Sequence, residues 1–132
     1  MKTYTDDKFG FVFLYPDNCT YEKEDNVISV YDEENGLGAL QFSIYYIGNE
    51  NKIDLKIELE DFLEDYDSFE VEIVNDLAYS KFIDESRVWQ YWLFQKGNTL
   101  ILASYNCEKE DTGKEDTMVN KILSSFTQSS IN

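Results

Sequence analysis

Two runs restrict the fold of this chain more than any others: Val88-Trp89-Gln90-Tyr91-Trp92-Leu93-Phe94-Gln95 and Thr99-Leu100-Ile101-Leu102-Ala103-Ser104-Tyr105-Asn106-Cys107, which flank Lys96-Gly97-Asn98. Both are rich in aromatic and β-branched residues that fit a pleated surface. Gly97 suits a primed turn or a short bulged loop, so the pair predicts a β-hairpin. Each arm is apolar on both of its alternating faces. Such strands belong at the centre of a sheet with cover on both sides, and the rest of the chain has to supply that cover.

The period of two recurs elsewhere. Phe9, Phe11, Phe13 and Tyr15 alternate up to Pro16, the one proline, which predicts a strand with a hard stop. A short polar piece at 21–23 is expected to pair next, followed by strands over 27–31 and 39–47. In the latter, Leu40, Phe42, Ile44 and Tyr46 share an expected core face, while Gln41, Ser43 and Tyr45 share a wetter one. Between these strands Asn35-Gly36, with Gly38 after it, predicts a tight turn of positive φ. The acids there do not make a calcium loop of the EF-hand kind. With Gly36 as the pivot at the sixth position, the first position would be Tyr31 and the twelfth Phe42, and neither supplies a carboxylate. Further strands are expected over 69–74 and 77–83, joined by Asn75-Asp76.

From 53 to 67 the period lengthens. Leu55, Leu59, Phe62, Leu63 and Tyr66 fall on one helical stripe, edged on both sides by carboxylates. Ile57 lies opposite the stripe and faces outward. A second amphipathic helix carries Met118, Val119, Ile122, Leu123 and Phe126, and Thr112-Gly113-Lys114-Glu115 reads as its capping box. The elements predict an α+β fold, an antiparallel β-sheet with two main helices packed on its faces. They form one domain over 1–127, with a frayed tail over 128–132.

The resemblance that this order of elements carries is to the PsbP-like fold family, shared by the photosystem protein PsbP, the bacterial DcrB group and a Ran-binding relative. The matching features are the aromatic opening strand closed by Tyr15-Pro16, the central helix after a hairpin, the late Gly97 hairpin, and the closing Ile122-Leu123-Ser124-Ser125-Phe126. The resemblance spans nearly the whole chain and implies α/β/α layers. The chain departs from the family at Asp17-Asn18-Cys19, where a tryptophan or glycine often follows Tyr-Pro.

Charge excludes several functions. Twenty-seven acids against 11 bases leave a net −16, and Arg87 is the single arginine. Nucleic acid and anionic membrane both require a basic face, so neither is an expected partner. No stretch has the length and apolarity of a membrane span or a signal peptide, so the expected location is cytoplasmic. The chain has no histidine, no GxxxxGK[ST] and no GxGxxG, and Cys19 and Cys107 lack partners for a metal set or a thiol nucleophile. It is read as not an enzyme, with no cofactor and no metal, and with both thiols buried.

The expected function is a non-enzymatic protein-binding domain whose partner carries a basic patch, in the manner of an immunity-type inhibitor or an adaptor. Some small bacterial domains of this fold resemble immunity proteins of toxin systems. Candidate contact residues are Ile57, Glu58, Asp61 and Asp65 on the helix, then Asp32, Glu33 and Glu34 in the acidic loop. The alternative is a structural or self-associating domain, a homodimer paired through a strand edge, with the acids serving solubility alone.

Overall fold

The computed structural model describes residues 1–48 and 53–128. The predicted hairpin forms: β8 (Arg87–Lys96) pairs with β9 (Thr99–Glu108) from Arg87↔Glu108 to Lys96↔Thr99, and Gly97 opens the turn at φ +57°. These strands lie inside a seven-stranded antiparallel sheet. The order is β3 (Cys19–Glu24), β4 (Val27–Asp32), β5 (Ala39–Tyr46), β9, β8, β7 (Leu77–Asp84), β6 (Glu72–Val74). A smaller sheet has β2 (Phe11–Tyr15) between β1 (Lys2–Thr5) and β10 (Thr127–Gln128).

Both faces of the central hairpin are covered, each by a different layer. On one, Trp92, Phe94, Ile101 and Ala103 join Leu40, Phe42 and Ile44 beneath the small sheet and α2 (Asp116–Ser124), which contributes the buried Val119 and Ile122. On the other, Leu93, Leu100, Ala78 and Phe82 meet Leu59 and Leu63 from α1 (Leu55–Phe62) and the turn after it. Full burial of a leucine contributes about 1.5–3 kcal/mol, so these two side chains hold a helix too short to be stable alone.

The closing residues fasten the layers. The Phe126 ring lies 4.7 Å from Phe42, 5.0 Å from Phe13, 5.4 Å from Phe94 and 5.5 Å from Phe11, centroid to centroid, so it touches both sheets. Ser125 Oγ accepts the Leu14 N–H at 2.7 Å, tying the end of α2 to β2. These contacts account for the Ser-Ser-Phe ending seen in the sequence. Gln128, expected in the tail, pairs through its backbone with Phe11, and residues 129–132 lie outside the described residues.

Several local expectations are corrected. The opening strand starts at Phe11, because Gly10 at φ +76° closes a turn in which the Asp6 carboxylate accepts the Phe9 N–H at 2.7 Å. The helix expected over 53–67 ends at Phe62. Its last turn has no basic residue while Asp61, Glu64 and Asp65 crowd the carbonyl end, which opposes the helix dipole. The strand expected from 69 is confined to Glu72–Val74. The capping box does not form: Thr112 Oγ1 donates to the Lys109 carbonyl, and the Glu115 carboxylate is engaged elsewhere. Strand β1, with a polar sequence and one buried side chain, Tyr4, gave no periodic signal.

The turns divide in the same way. Asn75 and Asp76 adopt φ +49° and +66° and close β6–β7 as predicted. Glu85 and Ser86 do the same between β7 and β8 at +50° and +69°, although neither residue type favours that region. Replacing this pair by the residues a primed turn prefers, Glu85→Asn with Ser86→Gly, is expected to stabilise the protein by about 1 kcal/mol. A urea denaturation midpoint that does not rise at constant slope would show that the turn stores no strain.

Candidate functional site

The helical candidates form a surface on α1. Asp54 caps the helix, its Oδ1 accepting the Ile57 N–H at 3.2 Å. With Leu59 turned inward, Ile57 points to solvent and is 54% exposed. Asp61 follows Ile57 one turn later on the same outward side, Glu58 lies half-buried on the flank, and Asp65 is exposed in the turn beyond. Among the described residues none of these three carboxylates makes an ion pair. The acids are therefore open to an external cation.

Exposed aromatics lie apart from Ile57. Phe62, expected on the buried stripe, is 37% exposed and packs against Tyr45 at 5.5 Å between centroids. Tyr46, expected on the core face of β5, is exposed as well, because the small sheet and α2 do not extend over that end of the strand. Helical and strand periods report which way a side chain points. They carry no signal for where the covering layer stops, so these aromatics were not legible as surface.

The loop candidates lie apart. Residues 33–38 connect β4 to β5 at the end where β5 begins, whereas Tyr45 and α1 meet at the end where it finishes. Eight residues of strand separate them, roughly 25 Å at the usual rise. Asp32 has a structural task here. Its Oδ1 accepts the N–H groups of Glu34 and Asn35 at 3.0 and 3.1 Å, and Oδ2 accepts Asn18 Nδ2 at 3.0 Å. These bonds, the Asn35 N–H foremost, hold its carboxyl below the ordinary carboxylate range. Glu33 and Glu34 remain exposed.

The glycines of this loop serve close approach, and the expected positive φ at Asn35 and Gly36 is not found. A Cβ on Gly36 would collide with the Asp32 carbonyl oxygen, and one on Gly38 with the Asn106 carbonyl oxygen and the Tyr105 ring. The Gly38 N–H donates to Glu115 Oε1 at 3.0 Å, and the Tyr105 hydroxyl donates to the same oxygen at 2.6 Å. One carboxylate at the start of α2 thus clamps the loop to the sheet.

No protein-family model and no curated protein matches the chain. Solved structures do. The solution structure of cyanobacterial PsbP (CyanoP) from Synechocystis sp. PCC 6803 aligns with a TM-score of 0.65 at 15% identity, over 96% of this chain and 91% of that one. The fold is PsbP-like. A crystal structure of a protein from Bacteroides thetaiotaomicron VPI-5482 aligns with a TM-score of 0.67 at 15% identity, over 98% of this chain and 49% of that one. The PsbP-like chain therefore spans about half of the Bacteroides protein's length. Among its described residues no helix is long and apolar enough to cross a membrane. Cys19 and Cys107 are both buried and unbridged, as expected.

The clamp has measurable consequences. Glu115→Ala leaves the Tyr105 hydroxyl and the Gly38 N–H without their acceptor and is expected to cost about 1–3 kcal/mol, with Tyr105→Phe adding little on top of it. Fully additive losses in a denaturation cycle would rule the clamp out. Burial, then the Glu115 hydrogen bond and charge, push the Tyr105 phenol far above its ordinary value, and burial does the same to Tyr4 and Tyr91. The folded state thus retains protons that the unfolded chain releases near pH 10, so this stability is fully present below that pH and is lost progressively as pH rises above it towards the raised folded-state values. The phenolate absorbance of Tyr4, Tyr91 and Tyr105 is expected to appear together with unfolding, after that of the exposed tyrosines; titration of these three in a chain that stays folded would contradict it.

Proposed function

We propose that this PsbP-like domain is a non-catalytic protein-binding module whose partner presents a basic surface, engaged through the outward face of α1. The observation that carries the reading is Ile57, more than half exposed beside carboxylates that make no ion pair among the described residues. An isolated apolar group ringed by unpaired charge suits an anchor in a protein interface, with the acids steering the encounter. The net charge of −16 extends that field over the whole domain. Phe62 and Tyr45 form a separate exposed aromatic pair where α1 meets β5. The immunity-type version of this function makes the partner a toxin encoded beside this gene, and the adaptor version makes it a non-toxic neighbour.

A second reading rests on β6. This edge strand exposes Ile73 and Val74, at 53% and 41%, and leaves one side of its backbone unpaired among the described residues. Self-association along that edge would make the acids a solubility device.

Ionic strength separates the two. With the product of a flanking gene as the titrant, binding is expected to weaken steeply from low to high salt, and Ile57→Ala to raise Kd about tenfold, or roughly 1.4 kcal/mol. Asp61→Lys with Asp65→Lys should slow association and flatten the salt dependence. A toxic neighbour should be neutralised on co-expression. A salt-insensitive homodimer in sedimentation, with none of these effects, would favour the β6 reading and remove the first.

A further inference from the structure

The face of the large sheet that carries α2 is only partly roofed. Under the small sheet and α2, residues of β4, β5, β9 and β8 are buried, while Leu77 and Tyr79 of β7 are only half-buried at the margin. Two hollows of about 410 and 430 Å³ lie along this margin and share Asn75, Leu77 and Trp92, so they form one groove. It runs beside β8 from Gln90 to Lys96, about 20 Å at the rise of a strand. Its floor is Leu77, Tyr79 and Trp92, with the two rings 5.6 Å apart, and its wall is Val119 and Leu123 of α2.

The charges are not spread evenly along it. At the Tyr79 end, Glu72 stands on the sheet side and Asp116 on the α2 side, with Lys81 the one cation beside them. Among the described residues neither carboxylate is ion-paired, and neither is Lys81. Glu72 lies directly across the β6–β7 ladder from Tyr79, and burial first, then the charges of Asp116 and Glu72, raise the Tyr79 phenol. An aromatic face between two opposed carboxylates is a site for an organic cation. A second copy of this chain is a poor occupant, because each copy carries −16.

We propose that this groove is a peptide channel that takes an extended basic segment of a protein partner, seating one arginine or lysine side chain over Tyr79 between Glu72 and Asp116. An apolar side chain two residues along the segment then lies over Leu77 and Trp92, since alternate residues of an extended chain share a face. The channel rests on the reading of the protein as a binder of basic partners. It adds a surface on the opposite side of the sheet from α1, made of different residues.

The test uses an acetylated, amidated hexapeptide with leucine at its second position and arginine at its fourth, titrated into the labelled protein by NMR. Saturable shifts are expected at the Trp92 indole and at the Tyr79, Val119 and Asn120 amides. Glu72→Gln with Asp116→Asn, both exposed and replaced by near-isosteres, should weaken binding at least fivefold while thermal stability confirms the fold. The peptide with glutamine for arginine should lose affinity to the same degree, and Ile57→Ala should change nothing. Shifts that survive the double variant, or that fall on α1, would overturn the channel and leave the α1 reading standing. Free arginine binding as tightly as the peptide would also overturn it, in favour of a small-molecule cation site. Loss of flanking-gene binding in Ile57→Ala, with the hexapeptide still seated, would leave the channel intact.

Discussion

The pairing of β8 with β9 sets everything else. Ten residues face ten in unbroken register, and both strands are apolar on both faces. A slip of one residue would exchange the two faces of a strand whose neighbours are already matched to them. With the register held, each face must be removed from water. One receives Leu59 and Leu63, the other Phe126, Ile122 and the aromatics of β2. The roofs are unequal: on the α2 side the small sheet meets β3 and β5 through Tyr21 and Phe42, and Leu77 and Tyr79 of β7 stay only half-buried, which leaves the groove beside β7. The open groove is thus a consequence of how far a three-stranded sheet and one nine-residue helix can reach.

The carboxylates fall into two populations with different physics. Asp6, Asp32, Asp54 and Glu115 are spent on the molecule itself, each accepting backbone N–H groups at a turn or helix start where no carbonyl is available. Those of α1 and the rim of the groove have no such partner. Along α1 they repel one another, and among the described residues neither set makes an ion pair.

How much of this could be read in advance depended on whether a local rule was left undisturbed. The Asn75-Asp76 turn and the Gly97 turn formed as written, because there residue preference and strand register agree, whereas Glu85-Ser86 turns on register alone. The capping box at Thr112 failed because Glu115 finds stronger partners in Tyr105 and Gly38, remote in sequence, than in its own helix start. Gly36 and Gly38 were recognised as necessary, but for the wrong reason: carbonyl oxygens of Asp32 and Asn106 leave no room for a Cβ. Of the candidate site, the outward placement of Ile57 was legible from the helical period. The Phe62–Tyr45 contact and the groove were not, since each depends on where a distant layer ends.

The sequence by itself determined the elements and their facing: two-sided strands at the centre, amphipathic helices, the acidic surface and the absence of histidine chemistry. These follow from period, side-chain type and charge, which act within a few residues of one another. Only the tertiary structure decided the strand order, the partners of Glu115, the separation of the two acidic patches and the uncovered margin beside β7. Those depend on which residues meet across the sheet, and packing settles that by filling the volume over a given face, a quantity no local window contains.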